Sequence, residues 1–181
     1  MVAPRGLAQT VRGFARGFSG RFPQHRLDDG ASLGRRRKRG APAQAIGRSR
    51  GGRTTKIHAV CDALGRAIAI KVTPGQLGDV VPAAELLGQL PPSRRCAADT
   101  AYDSNALRQF LCHRGTLPVI PNNPTRKRFH TFDRRAYKRR NLIERAFCRL
   151  KDWRRVATRY DKLARNFHAA VAIAAVIIWW A

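Results

Sequence analysis

Acidic side chains are scarce in this chain: 11 Asp and Glu stand against 36 Lys and Arg, giving a formal net charge of +25 and a pI near 11.7. So one-sided a charge excludes cationic partners and attracts polyanions, of which nucleic acid is the commonest. Cysteine is also sparse. Cys61, Cys96, Cys112 and Cys148 lie far apart with no Cys-x-x-Cys pair, which argues against a zinc site and against a secreted disulfide framework. Long apolar runs are missing too. The longest, residues 169–181, is too short to span a bilayer. It is expected to form a buried closing helix, and no membrane partner is expected. The Arg-rich N-terminus has no apolar signal core.

What is present suffices for one domain: 181 residues, 44% of them hydrophobic. Residues 1–46 stand apart. They carry Gly, Arg and Pro with scattered Phe, show no sustained helical or strand period, and include the self-repelling block Arg35–Arg39. This segment is expected to be a basic, disordered tail, and residues 47–181 the folded domain. Residues 54–62 and 66–73 read as a hairpin. A helix over 80–90, a short strand over 95–99, a helix over 104–113 and a strand over 117–120 follow. Residues 122–135 form a basic loop, Tyr137–Val156 one long helix, and Asn166 or Phe167 opens the last helix. This order predicts an α/β fold, a mixed sheet flanked by helices.

The chemistry is concentrated in the long helix. Tyr137, Arg140, Glu144 and Lys151 have the spacing Tyr-x2-Arg-x3-Glu-x6-Lys. At about 100° per residue they fall within roughly a 60° arc, and Arg155 joins them. Leu142, Ile143, Ala146, Phe147, Leu150 and Trp153 take the opposite side, so one face packs and the other shows a single carboxylate among cations. Asp99 directly follows a short apolar strand, a rigid position that suits a metal ligand as well as a turn or helix cap. Together, Asp99 and Glu144 could hold Mg²⁺ or Mn²⁺. Two-metal phosphoryl transfer uses a further carboxylate; Asp62, Asp79 and Asp103 are local candidates that read more naturally as turn residues. The basic turn with Arg48 and Arg50 and the loop with Arg126, Lys127 and Arg128 are suited to gripping phosphates without reading sequence.

Residues 47–62 (GRSRGGRTTKIHAVCD), 98–108 (ADTAYDSNALR), Val119-Ile120-Pro121 and 141–164 (NLIERAFCRLKDWRRVATRYDKLA) closely resemble DDE transposases of bacterial insertion sequences, specifically the insertion-sequence 5 group. The resemblance implies an RNase H-like fold, Mg²⁺-dependent cleavage at transposon ends and strand transfer into target DNA. It makes Asp99 and Glu144 catalytic metal ligands, and Tyr137, Arg140 and Lys151 contacts to DNA near the cut. It also implies a bacterial cytoplasmic, nucleoid-associated protein, possible as a homodimer on DNA. One departure stands out. The family's first catalytic Asp lies on a first strand, in an Asp-Ser-Thr-like string. Here that distance upstream holds Arg26-Leu27-Asp28-Asp29-Gly30. These residues admit codons that, read one base later, encode Asp-Ser-Thr-Met-Val. The resemblance therefore implies a frameshifted or truncated copy whose first strand is missing and whose catalysis is impaired, unless Asp28 or Asp29 supplies the lost carboxylate. The alternative is a non-catalytic basic nucleic-acid-binding protein.

Overall fold

A computed structural model describes residues 14–23, 44–49 and 52–181. The strands are β1 (Phe14–Pro23), β2 (Gly47–Ser49), β3 (Gly52–Cys61), β4 (Ala67–Pro74), β5 (Arg95–Ala98) and β6 (Leu117–Val119). The helices are α1 (Val80–Gly88), α2 (Asn105–His113), α3 (Arg134–Lys138), α4 (Asn141–Lys151), α5 (Arg154–Ala157) and α6 (Ala164–Trp180).

The hairpin of β3 and β4 turns on Asp62. Its Oδ1 accepts from the backbone N–H of Leu64 and of Arg66, and Gly65 supplies the positive φ of 83° that the turn needs. β3 is buried on both faces from Thr54 onward, because it lies inside the sheet. β4 borders it on one side; β1 and β2 pair with it antiparallel as well. β1 then pairs parallel with β5, and β5 parallel with β6. The expectation of an α/β fold, a mixed sheet flanked by helices, is met.

Strand alternation divides the core between two faces. Ile57, Ala59 and Cys61 meet Ile143, Phe147 and Leu150 of α4 and Phe167 and Val171 of α6. On the other face Val60, Cys96 and Ala98 meet Leu86 and Leu87 of α1 and Leu107 and Leu111 of α2. Each fully buried Leu, Ile or Phe contributes about 1.5–3 kcal/mol of transfer free energy. The two carboxylate-bearing elements, the end of β5 and α4, are thereby held against one rigid sheet.

Three expectations need correction. The first strand is not missing: Phe14–Pro23 forms β1, in the middle of the sheet. Its Gly- and Arg-rich sequence has little strand propensity of its own. A slot with a partner on each side satisfies the backbone groups regardless, and context overrides propensity. Nor is the rest of the first 46 residues uniformly unpacked, since Ala45 is buried at 5% exposure. Residues 1–13 and 24–43, which include Asp28 and Asp29, lie outside the described residues.

Second, the helix expected over Tyr137–Val156 is three helices. Asp133 caps α3 by accepting from Ala136 N–H, which starts a helix earlier than expected, and the chain then turns between Lys138 and Asn141. Trp153 adopts extended backbone (φ −82°, ψ 105°) and separates α4 from α5; its ring is exposed and not part of the packed face. Third, α6 opens at Ala164 and is only half buried, with Ile173, Val176, Ile177 and Trp180 exposed. Among the described residues no helix is long and apolar enough to cross a membrane.

Candidate active site

Asp99 leaves the end of β5 and caps a 3-10 turn over Thr100–Tyr102, its Oδ1 accepting from Thr100 N–H at 2.5 Å. The capping role weighed for this residue is thus real, and it occupies only one carboxylate oxygen. The other, Oδ2, lies 3.9 Å from Nη1 of Arg140. Arg140 stands at the start of α4 and donates from Nη2 to Glu144 Oε1 at 2.6 Å. One guanidinium therefore bridges the strand-end carboxylate and the helix carboxylate. It also lies 5.5 Å from the centre of the Tyr137 ring. Tyr137 sits on α3 beside Phe132, in a small cluster with Ala97 of β5, Val119 and Ala136. Burial pushes the Tyr137 phenol up from its ordinary pKa; Asp99 and Glu144 add to this and Arg140 opposes it. All four groups share one electrostatic neighbourhood, although their elements are separate in sequence.

Other candidates are placed differently. Lys151 is exposed at the end of α4. Arg155 leaves the stripe: it is on α5 and pairs through two nitrogens with Asp161. Arg48 is exposed on β2, and Arg50 lies outside the described residues. Lys127 and Arg128 are exposed on the basic loop. Arg126 is not open to a phosphate in this arrangement, because its Nε and Nη2 donate to Asp103 at 2.8 and 2.9 Å and its Nη1 to Asn105. Asp62 holds the hairpin turn and Asp79 pairs with Lys56. Neither they nor Asp103 joins Asp99 and Glu144, and the described residues contain no group of three or more His, Cys, Asp or Glu placed for a metal. Asp99 and Glu144 are two carboxylates on one guanidinium, a donor set of the kind that Mg²⁺ takes together with water and substrate phosphate.

Two residues have roles that sequence reasoning did not assign. Asp103, read as a turn residue, has a fully buried side chain between Arg108 and Arg126 and also accepts from Asn123 N–H. Burial alone would raise its pKa. Hydrogen bonds from Arg126, Asn123 and Arg108 outweigh it and hold the carboxyl at about 2. Its stabilising contribution is therefore present above the unfolded pKa near 3.9 and lost as pH falls toward about 2. Asp103→Asn should destabilise the fold by about 3–5 kcal/mol, since Arg108 stays buried with its charge uncompensated. It should also weaken DNA binding by releasing the loop that carries Lys127 and Arg128. Urea unfolding and fluorescence anisotropy would measure both; an unchanged midpoint would show that the pairing carries no weight. The second residue, Arg159, locks the N-terminal side of the sheet to the C-terminal segment. No periodicity in the sequence marks this cation as buried.

A mixed sheet carrying one acid at a strand end and another on a cationic helix is the arrangement expected of the transposase class, and comparison with known proteins shows the family. The chain belongs to the family described as Transposase DDE domain, whose profile matches residues 20–179. It is 42% identical over 127 residues to a protein named as a transposase for insertion sequence element IS6501 in Brucella ovis (strain ATCC 25840 / 63/290 / NCTC 10512), covering 70% of this chain and 98% of the relative. It is 30% identical over 137 residues to one named for insertion sequence element IS402 in Burkholderia cepacia, covering 70% of this chain and 63% of that protein. The catalytic core domain of BIV integrase (crystal form I) is a more distant likeness, with 18% identity, a TM-score of 0.44, and coverage of 67% of this chain and 73% of that one. The family acts on DNA, generally with a divalent metal ion.

Proposed function

We propose that this chain is a transposase of the insertion-sequence 5 group, acting in DNA transposition by metal-dependent cleavage and strand transfer. The observation that carries the reading is the meeting of Asp99 and Glu144 on one guanidinium beside Tyr137. In this reading Asp99 and Glu144 hold Mg²⁺ or Mn²⁺. A bound divalent ion supplies Lewis-acid stabilisation of charge on the scissile phosphate and an activated water. The chain's own cations do the rest. Arg140 presents a planar fork that matches phosphate geometry, and Lys151 adds a point charge one helix turn or more away. The Tyr137 hydroxyl, kept protonated by its surroundings, can donate to a phosphate oxygen. Arg48, Lys127 and Arg128 serve general backbone contact.

The copy is impaired in this reading, through a frameshift upstream of about residue 39. The Arg-rich composition of that segment and its lack of an Asp-Ser-Thr string support it. Those same features favour the second reading, a non-catalytic basic DNA-binding protein. The upstream nucleotide sequence tests the frameshift, because an Asp-Ser-Thr strand should stand in a neighbouring frame. A homodimer on DNA and association with the nucleoid complete the proposal.

Binding decides between general and site-directed contact. Affinity for duplex DNA should fall steeply between about 50 and 200 mM salt, because phosphate neutralisation dominates. Arg140→Ala and Lys151→Ala should weaken binding to a cleaved transposon end more than binding to random duplex. Equal losses on both would reduce them to general phosphate contacts and favour the non-catalytic reading.

A further inference from the structure

We propose that Arg140 is the resident counter-ion of the Asp99–Glu144 pair and must be drawn off before a divalent cation enters, so that DNA binding and metal binding reinforce each other. The inference rests on the reading of that pair as a metal site and adds an order of assembly to it.

Two carboxylates facing one space repel, and each is costly to keep ionised without a nearby cation. Here Arg140 answers both, with 2.6 Å to Glu144 Oε1 and 3.9 Å to Asp99 Oδ2. It does so unevenly. The Glu144 contact is a short charge-assisted hydrogen bond, whereas the Asp99 contact is an ion pair beyond hydrogen-bond length. Neither carboxylate is gripped by both nitrogens of the fork. The three side chains are partly exposed, at 22% for Arg140, 36% for Asp99 and 46% for Glu144, so the arrangement is weak and open to exchange. The Tyr137 ring 5.5 Å away gives the guanidinium an apolar surface to lean on while it moves.

A phosphodiester offers Arg140 what the carboxylates do not, two oxygens spaced for a planar fork. Once the guanidinium turns to phosphate, Asp99 and Glu144 are left without it and demand another cation. The same side chain then excludes metal from the DNA-free protein and admits it when DNA arrives. Linkage makes the effect mutual: whatever factor DNA adds to metal affinity, metal adds to DNA affinity.

The probe is Mn²⁺, followed by the paramagnetic resonance signal of the free ion, with the full chain and a short duplex, corrected with the duplex alone. Wild type should bind Mn²⁺ weakly by itself and about tenfold more tightly with DNA, within the usual range of coupling. Arg140→Gln should bind Mn²⁺ up to about fivefold more tightly than wild type without DNA, the size of one partly exposed ion pair, and gain less from DNA than wild type does. Arg140→Lys, which keeps the charge and loses the fork, should fall between. Should the Gln variant not fold, a Lys variant indistinguishable from wild type overturns the proposal, as does a folded Gln variant that binds no tighter. Glu144→Gln separates the two levels of the argument. If it leaves Mn²⁺ binding unchanged in both backgrounds, the pair is not the metal site and the underlying reading fails. If it abolishes binding while Arg140→Gln adds nothing, only the role of Arg140 fails.

Discussion

Given a transposon-end duplex with Mg²⁺ or Mn²⁺, the chain as written is expected to leave the DNA uncut, and Phe18→Asp is expected to bring strand cleavage into the measurable range. Register is the reason. β1 runs parallel to β5 with Gly17 opposite Ala98, so position 18 is level with Asp99. From the other side Phe18 is opposite Ala59, which belongs to the sheet face packed by α4, the helix of Glu144. In the proposed reading, a third carboxylate supplied from strand position 18, rather than from the more distant residues 26–30, would stand level with Asp99, and this chain has phenylalanine there. Losing several kcal/mol of metal-borne charge stabilisation, at 1.36 kcal/mol per tenfold, slows the reaction by roughly 10³-fold or more. The competing outcome is specific. Robust cleavage by the unaltered chain, abolished in Asp28→Ala or Asp29→Ala, would show that the N-terminal segment already provides the missing ligand.

Replacing Arg159 is expected to have the largest effect on stability. Its side chain is 1% exposed, yet no carboxylate oxygen is among its hydrogen-bond partners. Nε donates to the carbonyl of Asp161, Nη1 to the carbonyl of Ala45 and to Thr55 Oγ1, and Nη2 to the carbonyls of Gln44 and Lys162. The guanidinium also lies 4.9 Å from the centre of the Phe167 ring. Burial lowers its pKa to about 10 and Asp161 acts against that, so the group stays charged at neutral pH. Arg159→Ala would leave the buried Asp161 carbonyl and the part-buried Gln44 and Lys162 carbonyls without this donor, while Ala45 keeps its bond from Thr55 Oγ1, for a total of about 3–5 kcal/mol. At about 2–4 °C per kcal/mol for a domain of this size, Tm should fall by roughly 10 °C. Arg159→Lys should not rescue it, because a single ammonium with three donors cannot span acceptors arranged around a planar fork. A Tm within about 2 °C of wild type, set against that scale, would contradict the role.

Arg159 belongs to the run Arg-Arg-Val-Ala-Thr-Arg-Tyr-Asp-Lys. In the structure its residues are occupied with each other and with distant backbone: Arg155 with Asp161, Arg159 with residues 44 and 45. Arg155, which helical spacing puts on the stripe with Glu144, is instead paired with Asp161, and Arg159 ties this stretch to residues 44 and 45.

The sequence by itself determined what depends on neighbours in the chain. The excess of cations points to a polyanion whatever the fold. The Asp62–Gly65 turn specifies the hairpin, the 3.6-residue period of Ile143, Phe147 and Leu150 specifies the packed face of α4, and the i,i+4 spacing of Arg140 and Glu144 puts them in contact. Only the tertiary structure decided what depends on partners far along the chain. β1 has glycines where a strand wants side chains, and it forms because β3 and β5 offer hydrogen bonds on both edges. Arg126 and Lys127 are adjacent cations in the sequence, and a buried Asp103 more than twenty residues earlier claims one and leaves the other exposed. Asp99 meets Arg140 because α3, with Ala136 and Tyr137, packs on Ala97 of β5 and Val119 of β6. No local pattern encodes that approach, since a side chain's partner across a fold is set by the packing of whole elements.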